Sequence, residues 1–107
     1  MFKEDVIKNK IKKDLEKKHS NNILTLRNRF LAEWASNILG LKGKSVTFYV
    51  KKLKKKKSNH IIKKIENDFL ENNIKISNAE INIKLNEFQM KANVIAENKL
   101  KLDNWIN

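Results

Sequence analysis

The sequence predicts an all-α protein: an antiparallel four-helix bundle with an additional N-terminal helical or mobile arm. Three observations carry this. Apolar residues recur at helical spacing along the chain, and strand-like alternation is confined to the short run Ile74, Ile76. There is no proline, and the two glycines, Gly40 and Gly43, share one corner. Helix start and stop signals follow the periodic stretches closely, so the connections are short and neighbouring helices run antiparallel. The expected organisation is a single helical domain over 1–107, with 1–19 as the arm and 20–107 as the bundle.

The arm, 3–18, has a thin apolar stripe: Ile7, Ile11 and Leu15 at four-residue spacing, flanked by Val6. Each such side chain yields about 1.5–3 kcal/mol only when fully buried, so the stripe needs a partner surface. Glu4–Lys8 and Asp14–Lys18 are favourable i,i+4 pairs, each worth a few tenths of a kcal/mol. The segment is helix-capable but marginal alone. His19, Ser20, Asn21 and Asn22 break the pattern with residues that cap helices.

The next helix spans about 23–39. Phe30, Trp34 and Ile38 lie on one row, and Leu31, Ala35 and Leu39 on the adjacent row. Gly40 then supplies a left-handed stop, and Leu41 is the apolar residue that folds back in a Schellman-type close. Ser45 is the expected N-cap of the following helix, whose core face is Val46, Tyr49, Val50 and Leu53. Ser58 or Asn59 starts a third bundle helix with Ile61, Ile62, Ile65 and Phe69 inside, and Asn72-Asn73 ends it. Ser77 and Glu80 then form a capping box, with Ile76 placed to staple onto Ile81. The last helix presents Ile81, Leu85, Phe88, Ala92 and Ile95 on one face, and Leu100, Leu102, Trp105 and Ile106 make an apolar tail.

Several of these residues carry a resemblance. Arg27-Asn28, Leu31, Trp34-Ala35, Leu39-Gly40-Leu41 and Gly43, followed by Tyr49 and Lys51, resemble the signature of the zeta subunit of the alphaproteobacterial F-type ATP synthase. Ile76-Ser77, Ile81, Lys84, Glu87 and Ala92 resemble that family's last helix, and Phe2 and Asp5 its opening residues. The resemblance implies an inhibitor of ATP hydrolysis. Its arm would enter the catalytic head between an alpha and a beta subunit, become helical there and touch the rotor. By carry-over, Phe2, Glu4 and Asp5 match the family's start, and Ile7, Ile11 and Leu15 are the docking stripe. Arg27 would orient the arm or touch the partner, and Trp34 is a second candidate contact. The implied place of action is the cytoplasm, at the inner face of the membrane through the synthase. No cofactor is expected; nucleotide binding is implied by the family alone and falls on no assignable residue. The arm departs from the family's acid-rich pattern, with Lys8, Lys10, Lys12, Lys13, Lys17 and Lys18.

Composition bounds the alternatives. A chain of 107 residues buries roughly 60–70% of its unfolded surface, which favours a binding surface over a deep active site. There is no cysteine for a disulfide or a thiolate metal site. No stretch reaches about 18 consecutive apolar residues, so no membrane span is expected. The formal charge is +12, but 22 of the 24 cations are lysine, whereas bidentate phosphate and guanine recognition favours arginine. Thirteen isoleucines and 16 asparagines accompany the lysines, so an AT-rich genome is the simpler source of the charge. A small basic nucleic-acid-binding bundle is therefore the weaker reading, and a synthase-associated protein without inhibitory action is another.

No catalytic constellation is visible, and the protein reads as a non-enzyme. His19 and His60 are far apart among lysines and asparagines and read as solvated. Trp34 lies on an apolar face, where core packing is the simpler role. Arg29 is explained by Glu33 four residues on. The run Lys51-Lys52-Leu53-Lys54-Lys55-Lys56-Lys57 reads first as a solvated helix end, where cations suit the macrodipole. Its other reading is a patch for an anionic surface.

Overall fold

The computed structural model describes residues 21–106, with side chains described over 21–99. Among the described residues the chain forms four helices and no strand: α1 over 21–38, α2 Lys44–Leu53, α3 Ser58–Glu71 and α4 Asn78–Ile106. The arm residues Phe2, Glu4, Asp5, Ile7, Ile11 and Leu15 lie outside the described residues, as do the side chains of Leu100, Leu102, Trp105 and Ile106. No described helix is long and apolar enough to cross a membrane.

The helices alternate in direction and are pinned by specific pairs. Phe30 of α1 meets Phe88 of α4 at a centroid distance of 5.9 Å, and the Lys91 ammonium lies 4.4 Å from the Phe30 ring centre. Trp34 packs edge-on against Phe69 of α3, at 5.8 Å and 73°. Glu66 of α3 accepts a hydrogen bond from Asn78 of α4 at 2.7 Å. The core fills from the expected faces: Leu31 and Ala35 from α1, Leu53 from α2, Ile61, Ile62, Ile65 and Phe69 from α3, and Ile81, Leu85 and Ala92 from α4. Trp34 belongs to the partly buried shell around this core.

Two chain reversals are built alike. Gly40 has φ +78°; its amide donates to the Asn37 carbonyl at 3.1 Å, and the Leu41 amide donates to the Ser36 carbonyl at 2.9 Å. Asn73 has φ +58°; its amide donates to Leu70 at 3.2 Å, and the Ile74 amide donates to Phe69 at 2.8 Å. Both are complete Schellman motifs with an apolar residue following the left-handed one. The capping box is also present: the Glu80 amide donates to Ser77 Oγ at 3.2 Å, and the Ser77 amide donates to Glu80 Oε2 at 3.2 Å.

Two expectations are corrected. Ser45 is not the N-cap of α2. Gly43, at φ +59° and ψ −127°, turns the chain into the helix one residue before Lys44, with no side-chain cap. That backbone region is essentially reserved for glycine. Ile95 is 40% exposed rather than buried. With Glu66 opposite Asn78 and the two helices antiparallel, the first residue of α3 stands level with about residue 86 of α4, so α3 does not extend to Ile95. On α2, only Leu53 is fully buried; Val46, Tyr49 and Val50 are half-buried.

Candidate functional site

The first described turns of α1, the α2–α3 connection and the middle of α4 meet at one end of the bundle. Two adjacent residues organise this end. Arg27 is only 6% exposed, and its guanidinium points inward across to α4. Nε and Nη2 donate to Asn28 Oδ1 at 3.1 and 2.9 Å, and Nη1 donates to Gln89 Oε1 at 3.1 Å. Burial pulls its pKa below the ordinary value, but an arginine keeps its proton at physiological pH. The result is a buried cation held by neutral amide oxygens. A cation without these acceptors would be strongly destabilising there.

Asn28 is fully buried and passes the connection on. Its amide nitrogen lies 3.3, 3.1 and 2.6 Å from the carbonyl oxygens of Leu53, Lys54 and Lys56. Leu53 and Lys54 stand at the C-terminal end of α2, where helical partners run out, and Lys56 lies in the connection to α3. One side chain from α1 thus closes the last turn of α2, fixes the lysine run and supplies two of the three acceptor contacts of Arg27. Beside it, Lys51, Lys52, Lys55 and Lys57 are exposed, and Lys54 and Lys56 are half-buried.

A second polar cluster lies between α2 and α3. The Tyr49 hydroxyl donates to Asp68 Oδ2 at 2.8 Å, and the Lys64 ammonium pairs with Asp68 Oδ1 at 2.9 Å. Burial, and then the hydrogen bond and charge of Asp68, push the tyrosine pKa well above its ordinary value. Leu39, Leu41, Lys52 and Asn72 complete an open cleft of about 270 Å³.

Of the residues singled out in the sequence, Arg27 is internal, Trp34 is half-buried against Phe69, and the six arm residues fall outside the described part. Arg29 pairs with Glu33 at 2.9 Å as expected. Asn28, Gln89 and Asp68 are what the sequence reading did not single out for these contacts. Their partners are 25 to 28, 62 and 19 residues away, beyond the reach of helical spacing. The one hint was Lys64 four residues before Asp68.

A family model described as ATPase inhibitor subunit zeta matches residues 19–94. The chain belongs to the ATPase inhibitor subunit zeta family. The match takes in both glycines, the Arg27–Asn28 joint and the capping box, and leaves 1–18 outside. No curated protein and no solved structure matches the chain. Membership makes the protein's role a regulatory one, in keeping with a bundle whose polar clusters serve its own packing.

Proposed function

We propose that this zeta-family protein restrains ATP hydrolysis by the F-type ATP synthase. Its N-terminal segment inserts between an alpha and a beta subunit of the catalytic head and bears on the rotor. The observation that carries the reading is the family match over 19–94. The physics of the arm supports it. Ile7, Ile11 and Leu15 offer too little apolar surface for an independent helix and gain the missing partner in a cleft. Phe2, Glu4 and Asp5 lead the insertion.

The bundle holds the arm at high effective concentration next to its site. Arg27 acts as a positioning residue: its bonds to Asn28 and Gln89 tie the start of α1 to α4, and so set the direction in which the arm leaves. Trp34 is a secondary contact through the part of its ring left uncovered. Six lysines within 8–18 make docking salt-dependent, through the rate of encounter above all. The protein acts at the cytoplasmic face, where the catalytic head lies.

The test is a titration of the full chain into purified synthase from the same organism, following ATP hydrolysis. The expected result is a dose-dependent fall that weakens as salt rises. Full activity at saturating protein, in an assay where another zeta protein stops its own enzyme, would leave this chain with the fold and without the inhibition.

A further inference from the structure

The face of α2 that points away from the core carries three lysines, the small polar residues Ser45 and Thr47, and one aromatic ring. Lys44, Phe48 and Lys52 stand one turn apart, with Lys51 beside them, and all four are exposed. Phe48 is 65% exposed on a helix whose other apolar residues turn inward. No acid occurs between Glu33 and Glu66, while that interval holds ten lysines. Among the described residues, only Lys64 of the ten forms an ion pair. Asn28 fixes the end of this face by holding the carbonyls of Leu53, Lys54 and Lys56.

Unneutralised like charges at this density repel one another, and a bare phenyl ring orders water around it. A single partner that relieves both must be anionic and must offer apolar depth. We propose that the α2 face docks on an anionic phospholipid bilayer, with Phe48 entering the headgroup region between its flanking lysines. The inference goes beyond the inhibitory reading and does not depend on it.

The chemistry favours a bilayer over a nucleic acid. Each lysine near an anionic surface adds its own attraction without a fixed geometry, which suits ammonium groups on flexible stems. Nucleic-acid sites use guanidinium forks or a series of stacked aromatics. Here one arginine is buried, the other pairs with Glu33 on α1, and Phe48 is the only exposed ring on the face. The apolar face of α2 stays in the core, so the contact is peripheral: lysines meet anionic headgroups around one inserted ring, and no described helix can cross a membrane.

The experiment is co-sedimentation of the full chain with vesicles of phosphatidylcholine alone or with about a third phosphatidylglycerol. Binding to the anionic vesicles only is expected, roughly tenfold weaker or more at about 0.5 M salt. Phe48→Ala should weaken binding several-fold and leave its salt dependence unchanged. The triple change Lys51→Gln, Lys52→Gln, Lys55→Gln should remove most of it. A charge-matched control, Lys75→Gln, Lys84→Gln, Lys99→Gln, should retain most binding, and circular-dichroism melts check that every variant folds. The proposal is overturned by equal binding to neutral vesicles or by no binding to anionic ones at low salt. It is also overturned if the control loses as much as the α2 variant, or if single-stranded RNA displaces the protein from vesicles at matched phosphate concentration.

Discussion

At one end of the bundle, Gly40 and Asn73 turn the chain with backbone atoms alone; at the other, Asn28 reaches from α1 to close a turn between two different helices. The two turns at the first end are closed by bonds that span five residues or fewer. The second end depends on contacts 25 to 62 residues apart. The cooperativity of this fold is therefore concentrated at the second end. The Schellman turns form as soon as their helices do. The second end forms only when α1, the α2–α3 connection and α4 have met. The end where the chain enters α1 is therefore the place most dependent on the whole bundle.

The largest expected effect lies at the second end. Asn28→Ala removes the side-chain donor to the α2–α3 connection and the main acceptor of Arg27, and should cost about 3 kcal/mol in denaturant unfolding. Asn28→Asp sharpens the point: it returns an acceptor to Arg27 but offers no donor to the carbonyls, so it should recover only part of the loss. Equal stability of Asn28→Ala and the parent chain would erase the contrast between the ends.

Smaller losses are expected at the local end. A Cβ on Gly40 would meet nothing within 4 Å, so Gly40→Ala carries only the left-handed backbone penalty, about 1–2 kcal/mol. Ser77→Ala removes one half of the capping box and should cost about 1 kcal/mol. Asn73→Gly works in the opposite direction. It relieves the left-handed strain while keeping the same turn and should stabilise by about 0.5 kcal/mol. Thermal melts of these three variants rank them, and a destabilised Asn73→Gly would show that the asparagine side chain matters more than its backbone.

The smallest effect lies midway between the ends and depends on pH. The Tyr49 hydroxyl has its pKa raised in the fold, first by burial and then by Asp68, from an ordinary 10.0. The folded protein keeps this proton where the unfolded chain has lost it. The associated stability is thus present below that ordinary pKa and declines as pH climbs above it. Melts between neutral pH and about 11 should fall more steeply for the parent chain than for Tyr49→Phe.

What the sequence made legible follows the same division. Gly40 with Leu41, Asn73 at the end of α3, the Ser77–Glu80 box and the four buried side chains of α3 are all short-range signals, and all appear as read. Ser45 misled because a serine two residues inside a helix still resembles a cap, while the backbone at Gly43 had already started the turn. Ile95 misled because periodicity shows which face a residue shares, not how far the neighbouring helix extends. α4 also carries Ile83, Met90 and Val94 on exposed positions, which blurs its amphipathic signal. Arg27 and Asn28 were marked by family resemblance, but their burial depends on partners that only the assembled bundle brings near. The Tyr49–Asp68 bond left no trace in spacing for the same reason.

The most direct test of the account removes residues 1–19 and measures two things on the same preparation: inhibition of synthase ATP hydrolysis and the thermal midpoint. Inhibition should disappear while the midpoint moves by less than about 2 °C. Inhibition that survives the deletion, or a bundle that loses most of its stability with the arm, would contradict it.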